Sequence, residues 1–276
     1  MDDVKDVHTA STARLLQLLF YRVKIGAGAH HMRVIRLAVA AIVLVWAPIA
    51  SAQTADEVIE KSIAAMGGRA AFEKIKTRLA TGELSIGTPA GDIAGTVEMY
   101  GAAPNKQRTV IKADLTQFGA GQLLIDQRFD GTNGYAMDSM QGNREITGSQ
   151  LDNMKSQGFP HPFLNYKASG MAVKLGAKEQ VGGRDMFVLT FQPTAGEPIK
   201  QYVDAETFLP ARTIVTAEVP QMGKIEQMVD PSDYRDVGGV KVAHKMTLTN
   251  AMQSISMTFT KIENNVTVDE KMFVKP

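Results

Sequence analysis

Apolar residues recur along this chain in two different rhythms. Between Thr54 and Ile75, Val58, Ile59, Ile63 and Met66 fall on one face at helical spacing, and Thr54 or Asp56 stands where a cap is needed. Gly67-Gly68 supplies a C-terminal stop, after which Arg69 to Ile75 resumes as a short turn with Ala71, Phe72 and Ile75 apolar. This pattern predicts an amphipathic helix that must lie on something.

Beyond Ile75 the rhythm changes to period two. Ile93, Val97 and Met99 alternate with Thr96 and Glu98; Leu123, Ile125 and Phe129 with Asp126, Arg128 and Asp130; Phe187, Leu189 and Phe191 with Thr190 and Gln192. Ile255, Met257 and Phe259 alternate with Ser254, Ser256, Thr258 and Thr260. One dry and one wet face per strand mark antiparallel sheet rather than buried parallel strands. Turn signals fall between the runs: Asp130-Gly131 and Asn133-Gly134 bracket a bend, while Gly182-Gly183 and Gly238-Gly239 sit at hairpin tips. Asp204 to Thr207 ends one strand before Leu209-Pro210 opens another. The pattern predicts roughly ten to twelve strands in meander order, enough that the sheet must curl.

One stretch breaks the alternation. Ser149 to Gln157 reads as a short helix with Ser149 as its cap and Leu151 and Met154 three apart; an apolar, proline-stiffened loop, Gly158 to Leu164, comes next. Such an insertion either covers the open mouth of a curled sheet or merely connects two strands.

Upstream, Met32-Arg33-Val34-Ile35-Arg36, the apolar run Leu37 to Ile49 and Ala50-Ser51-Ala52 have the order of a secretory signal peptide, with cleavage expected after Ala52. The competing reading is an uncleaved anchor, but the run is shorter than the roughly 20 residues a spanning helix needs. Residues 1–31 fit neither part, and are read as an over-extended start, with translation beginning at Met32, or as a long n-region. The expected domain organisation is thus 1–31 outside the fold, 32–52 signal peptide and 53–276 one domain working in the periplasm.

Composition narrows the function. Of 30 Lys/Arg and 29 Asp/Glu, the first 52 residues hold six and three, which leaves 24 and 26 on the remaining 224 residues. That near-neutral balance, without a basic run, lacks the footprint nucleic-acid binding requires. The chain has no cysteine, so neither disulfides nor a cysteine-linked lipid anchor is available and burial must supply stability. Fifteen methionines suit adaptable apolar surfaces, and equally ordinary core filling.

No catalytic constellation emerges. After residue 52 there are two histidines, His161 between prolines on the loop and His244 in phase with Val240, Val242, Met246 and Leu248. Their separation makes a poor metal site. His244 reads as a hydrogen-bonded core residue, with ligand contact as the alternative. Nucleophile elbow, phosphate loop and dinucleotide fingerprint are all missing. Asp204 and Glu206 share a strand face beside a turn and read as solvated charges; Asp230 to Tyr234 reads as a turn or bulge. The expectation is a non-enzyme without metal or cofactor.

Several stretches together resemble outer-membrane lipoprotein-sorting-like proteins of the LolA/LolB-like superfamily. They are Ala55 to Ile75 with its Met66-Gly67-Gly68-Arg69 break, Arg128-Phe129-Asp130-Gly131-Thr132-Asn133-Gly134-Tyr135, Tyr202 to Pro210, and Ser232 to Lys241. The resemblance implies a mainly β (α+β) fold: a strongly curved antiparallel sheet forming an incomplete barrel, with helices across its concave side. It also implies a cavity for acyl chains, with a lipoprotein or other hydrophobic ligand as partner and transient membrane contact.

Two functions are open to such a chain. In the first, the protein carries a lipid, acylated protein or other hydrophobic ligand. Val97, Met99, Ile125, Phe129, Phe187, Leu189, Phe191, Met246, Leu248, Met257 and Phe259 then line the cavity, some of them beneath the first helix, and Leu151, Met154 and Phe159 belong to the lid. In the second, the protein is an accessory module for an envelope protease or outer-membrane assembly. Its own helices then fill the concave face, and an envelope protein docks on an exposed loop such as Phe159 to Tyr166. A hydrolase using His244 is a distant third.

Overall fold

Thr54 starts the first helix by reciprocal capping. Its hydroxyl accepts from the Glu57 backbone N–H at 3.2 Å, and the Glu57 carboxylate accepts from the Thr54 N–H at 3.0 Å. This capping box leaves Asp56 free for the first turn of α1 (Ala55–Ala65), where a carboxylate favours the helix dipole. The computed structural model describes residues 53–88, 91–219 and 223–276, so the signal peptide, its cleavage site and the stretch before it lie outside the described residues. Among the described residues no helix is long and apolar enough to cross a membrane.

Val58, Ile59, Ile63 and Met66 on α1 are each at most 1 % exposed, contributing about 1.5–3 kcal/mol apiece by burial. The helix stops at Met66, and Gly67 turns the chain with φ 124°. A Cβ at Gly67 would stand 2.2 Å from the Gly239 carbonyl oxygen, while Lys241 N–H donates to the Met66 carbonyl at 2.8 Å. Only glycine permits this approach, which pins the helix end to a hairpin on the sheet. The single turn α2 (Arg69–Phe72) then buries Phe72.

The strands are β1 (Thr77–Thr88), β2 (Gly91–Ala102), β3 (Lys106–Asp114), β4 (Gln122–Phe129), β5 (Gly134–Asp138) and β6 (Arg144–Ile146). After α3 (Gly148–Ser156) come β7 (Ala172–Leu175), β8 (Glu179–Val181), β9 (Arg184–Gln192), β10 (Ile199–Asp204), β11 (Pro210–Val219), β12 (Gly223–Val237), β13 (Val240–Thr249) and β14 (Ser254–Asn264). All pairings are antiparallel, in the order β6-β5-β4-β3-β2-β1-β14-β13-β12-β11-β10-β9-β7, with β8 also on β9. The first and last strands thus pair at mid-sheet, and the two ends, β6 and β7, do not pair with each other.

Fourteen strands exceed the ten to twelve expected, because β6, β7 and β8 have three or four residues each, too few to display alternation. The hairpin tips fall where the glycine pairs predicted them. The stretch Asp230 to Tyr234 lies inside β12, where Asp233 takes φ 53° while the register to β13 stays unshifted from the Ser232 and Lys245 pair to the Tyr234 and Ala243 pair.

The short helix α3 shows how far the sheet curls. Its Met154 packs with Phe129, Ala136 and Ile146 of β4, β5 and β6, while the neighbouring Asn153 side chain donates to the Thr216 carbonyl of β11 at 3.1 Å. In the sheet order β4 and β11 are seven intervals apart, roughly 34 Å in a flat sheet. A nine-residue helix is about 13.5 Å long. One element reaches both strands because the sheet is strongly curved and unclosed, an incomplete barrel. The N-cap position of α3 is Thr147 rather than the expected Ser149, and no side chain caps the backbone there. The chain after β14 returns along the outside, where the 3-10 turn Glu270–Phe273 buries Phe273 and Val274 accepts from Arg128 at 3.2 Å.

Asp204 departs from the solvated charge expected of it. It is 3 % exposed, and its Oδ1 accepts from the Glu206 and Thr207 backbone N–H groups and the Thr207 hydroxyl, while Arg184 pairs with Oδ2 at 2.8 Å. Burial alone would raise its pKa, but these donors outweigh it and hold the carboxyl below the usual range. The carboxylate organises the β10–β11 turn instead of facing water. Glu206 beside it is exposed, as expected.

Candidate functional site: the inner face of the sheet

Strand register decides which side chains share a face, because paired residues in antiparallel strands project to the same side. Met257 pairs with Leu84 and Met246, Leu84 with Gly95, and Gly95 with Ala113. Ile111 pairs with both Val97 and Ile125, Leu248 with Ile255 and Val229, and Phe187, Leu189 and Phe191 with Val203, Gln201 and Ile199. Traced across the sheet, all eleven predicted cavity residues lie on one face. That face is the inner one, since α1 packs against Phe187, Leu189, Phe191, Val203 and Val240 on it.

Packing divides the eleven into two groups. Phe187, Leu189 and Phe191 lie beneath α1 together with Phe163 and Tyr166. Phe129 lies beneath α3, in contact with Met154 and Leu151. These four are occupied by the protein itself. Six of the other seven sit on the central strands. Val97, Met257 and Phe259 are buried with Ala80 and Leu84, and Met99, Met246 and Leu248 pack beside them only partly buried, as do Ile86, Ile111, Ile255 and Ile262. Ile125 belongs to a neighbouring group with Ala113, Leu115 and Leu123. Every member of the central cluster comes from a strand; among the described residues no helical side chain enters it.

The loop after α3 is not the exposed contact surface that the accessory reading placed there. Phe163 and Tyr166 are buried, and the Phe163 ring stacks on Phe191 with centroids 5.5 Å apart. His161 lies between Phe72 and Phe163, at centroid distances of 5.9 and 4.8 Å, and its Nδ1 accepts from the Phe163 N–H at 3.2 Å. Burial first, then the nearby Arg78 charge, pushes the imidazole down to about 3, so it is neutral. The Tyr166 hydroxyl donates to Asp56 of α1, fastening the loop to the helix. Proline and aromatic residues at Phe159 to Tyr166 suggested a free apolar loop; spaced as they are, they plug the core under α1.

His244 is buried on the inner face, with Nδ1 3.1 Å from the Val242 carbonyl, as a core histidine should be. Among the described residues no group of three or more His, Asp or Glu side chains could hold a metal ion.

Arg78 is the inner-face residue that the alternation pattern passed over. It stands on β1 between Gly101 of β2 and Asn264 of β14, its register partners. Its Nε donates to Asn264 Oδ1 at 2.8 Å, and its guanidinium lies 5.9 Å from the centre of the Phe159 ring. That ring rests on Gly101, where a Cβ would stand 2.5 Å from it. Burial pushes the Arg78 pKa down to about 10, and its Nη2 is shut off from solvent without an acceptor. The sequence signal was present: Arg78 is in phase with Ala80, Gly82, Leu84 and Ile86, on the dry side of its strand.

The outer face carries an open depression of about 760 Å³ over Gly95, lined by Glu83, Thr96, Lys112 and Asp114 among others. Its charged rim makes it a poor home for an apolar ligand, and it contains none of the predicted cavity residues.

No family model matches the sequence, and no curated protein is similar to it. Among solved structures, the chain is similar to a LolA superfamily protein from Nitrosomonas europaea, with TM-score 0.51 and 12% identity, over 81% of this chain and 99% of that one. It is also similar to a DUF1329 family protein from Desulfovibrio piger, with TM-score 0.51 and 14% identity, over 79% and 95%. A third, a domain named for outer membrane lipoprotein sorting from Vibrio parahaemolyticus, has TM-score 0.50 and 13% identity, over 79% and 95%. At these identities the likeness is one of fold, and the fold is the one the resemblance implied: this chain shares the curved, incomplete barrel of LolA superfamily and lipoprotein-sorting proteins.

Proposed function

We propose that this protein is a periplasmic, non-enzymatic carrier or binding protein for a lipid, an acylated protein or another hydrophobic ligand. The observation that carries the reading is the central inner-face cluster. Apolar side chains from β1, β2, β3, β13 and β14 meet there with no helical side chain among them, and Met99, Met246 and Leu248 are only partly buried. An acyl chain laid on this surface would complete its burial, at about 0.8 kcal/mol per methylene. The lipoprotein-sorting names of its structural neighbours suit that use, and the signal peptide expected from the sequence suits the compartment.

The accessory-module reading draws on a different observation. The protein's own helices cover Phe187, Leu189, Phe191 and Phe129. If the central strands are likewise filled in solution, an envelope protein rather than a lipid is the partner.

Native mass spectrometry with lipid extraction, on protein secreted into a bacterial periplasm from the full sequence, separates the two. The carrier reading expects a bound mass that extracts as lipid or acylated peptide. A bare protein mass, unchanged after incubation with lipids, overturns it and favours the accessory module.

A further inference from the structure

The buried guanidinium of Arg78 is anomalous. A buried cation ordinarily faces a carboxylate, because desolvation penalises the charged form and only a close opposite charge offsets it. Among the described residues none lies within ion-pair reach of Arg78; its partners are the Asn264 amide oxygen and the face of Phe159. His161, beside it, is held neutral and brings no negative charge. The Asn264 Oδ1 receives Nε and not Nη2, and the Asn264 Nδ2, itself a donor, bonds the Val237 carbonyl at 2.8 Å. One strong donor, Nη2, is therefore left buried on an inner-face residue with nothing to receive it.

The surroundings say what would complete it. Register places Ala80, Met99 and Ile262 in the next row on the same face, then Gly82, Val97 and Phe259, then Leu84 and Met257. An apolar track thus runs from Arg78 along β1 to Ile86, eight residues or roughly 26 Å. The track is the central cluster, flanked by the only partly buried Ile86, Met99 and Ile262, whereas the end bearing Arg78 is covered by Phe159 and the loop around His161. A charge at the closed end of a greasy track fits a ligand that is anionic at one end and apolar along its length.

We propose that Arg78 Nη2 anchors the compact anionic head, a carboxylate or phosphate, of a single-chain amphiphile whose tail lies over Ala80, Met99, Val97 and Phe259. This rests on the carrier reading and narrows it, from any hydrophobic ligand to one entering head first. A guanidinium suits the task because it stays charged when buried and presents its donors in a planar fork that matches either head group.

The test compares oleate with oleyl alcohol, which has the same chain and no charge, by calorimetric titration of the delipidated protein. Sodium phosphate serves as the free anion, and Arg78→Gln and Arg78→Lys as variants. The expected result is at least tenfold tighter binding of oleate than of the alcohol, a preference lost in Arg78→Gln and partly kept in Arg78→Lys, with alcohol binding unchanged throughout. Equal wild-type affinity for the two chains overturns the anchor and leaves the carrier reading standing. Binding of neither chain overturns both. Phosphate binding as tightly as oleate, and depending on Arg78, overturns the amphiphile in favour of a small-anion site. Should Arg78→Gln not fold, the wild-type comparison of oleate and alcohol decides alone.

Discussion

Asn153 on α3 and Thr216 on β11 are joined by one hydrogen bond, 3.1 Å from side-chain amide to backbone carbonyl. Met154, one residue on, is buried against strands at the other end of the sheet. Between them these residues tie together two strands that a flat sheet would hold far apart. Asn153→Ala removes the lighter of the two ties, and should cost only about 1 kcal/mol of global stability. Its larger effect should be local: backbone amides of α3 exchange with deuterium faster while those of α1 do not. Unchanged protection of α3 would show that Met154 alone holds the helix down.

The inner face should respond to substitution in two ways. Leu189 is fully buried beneath α1, and Leu189→Ala should cost about 2–5 kcal/mol in urea unfolding without altering the lipid carried by the surviving folded protein. Leu248, partly buried in the open cluster, should show the reverse: Leu248→Asn costs about 1 kcal/mol but lowers the bound-lipid fraction seen by native mass spectrometry. Parallel losses of stability and lipid at both positions would dissolve the distinction between a helix-covered and a ligand-facing part of the sheet.

His161 makes stability depend on pH in a window of its own. Burial, and secondarily Arg78, pushes its folded pKa from 6.5 down to about 3. Between those values the unfolded chain takes up a proton that the folded protein refuses, so stability falls as pH falls. The loss reaches about 2 kcal/mol between pH 7 and pH 5. His161→Asn keeps an acceptor for the Phe163 N–H and should flatten that slope in urea titrations at the two pH values. An unchanged slope would mean that the imidazole is accessible to protons in the folded state.

Asp126 acts lower on the pH scale. It is buried on the outer face, where Arg108 reaches both carboxylate oxygens, at 2.8 and 2.7 Å, and Arg128 adds a bond of 2.9 Å. Burial alone would raise its pKa, but the two guanidinium groups outweigh it and hold the carboxyl below its ordinary value. Stability from this cluster is present above about pH 4 and is lost as pH falls below it. Asp126→Asn should cost about 3 kcal/mol at pH 7 by stranding two charges, and the variant should then show less additional loss below pH 4 than the parent. Equal acid sensitivity in both would assign that loss to other carboxylates.

Period-two alternation made the inner face legible before any coordinates. Register then carried the face across the sheet, although the ladder slips between Thr81 and Gly82 and between Tyr202 and Val203. Beyond the first slip Gly82 pairs with both Phe259 and Val97, and Leu84 with Met257, the partner of Met246, so Phe259 and Met246 face the same way as Val97. Strands of three residues were illegible because two apolar positions do not make a period. Asp204 was misread for a related reason: its neighbours in sequence are polar, and only the turn through Thr207 folds three donors onto its carboxylate. Arg78 hid behind its charge, since a cation next to alternating residues is assigned to water unless its phase is counted. Which part of the inner face stays uncovered depends on where α1 and α3 come to rest, and that is a tertiary outcome no local pattern encodes.

The outer edge of β9 is paired in two stretches, with β7 against Leu189 to Gln192 and β8 against Arg184 to Met186. At the opposite end of the sheet, β6 has three residues. Long unpaired backbone edges recruit strands from other chains, and proteins that persist in solution keep such edges short or covered. By ending the sheet in fragments, this chain leaves its unclosed sheet no long bare edge for another chain to extend.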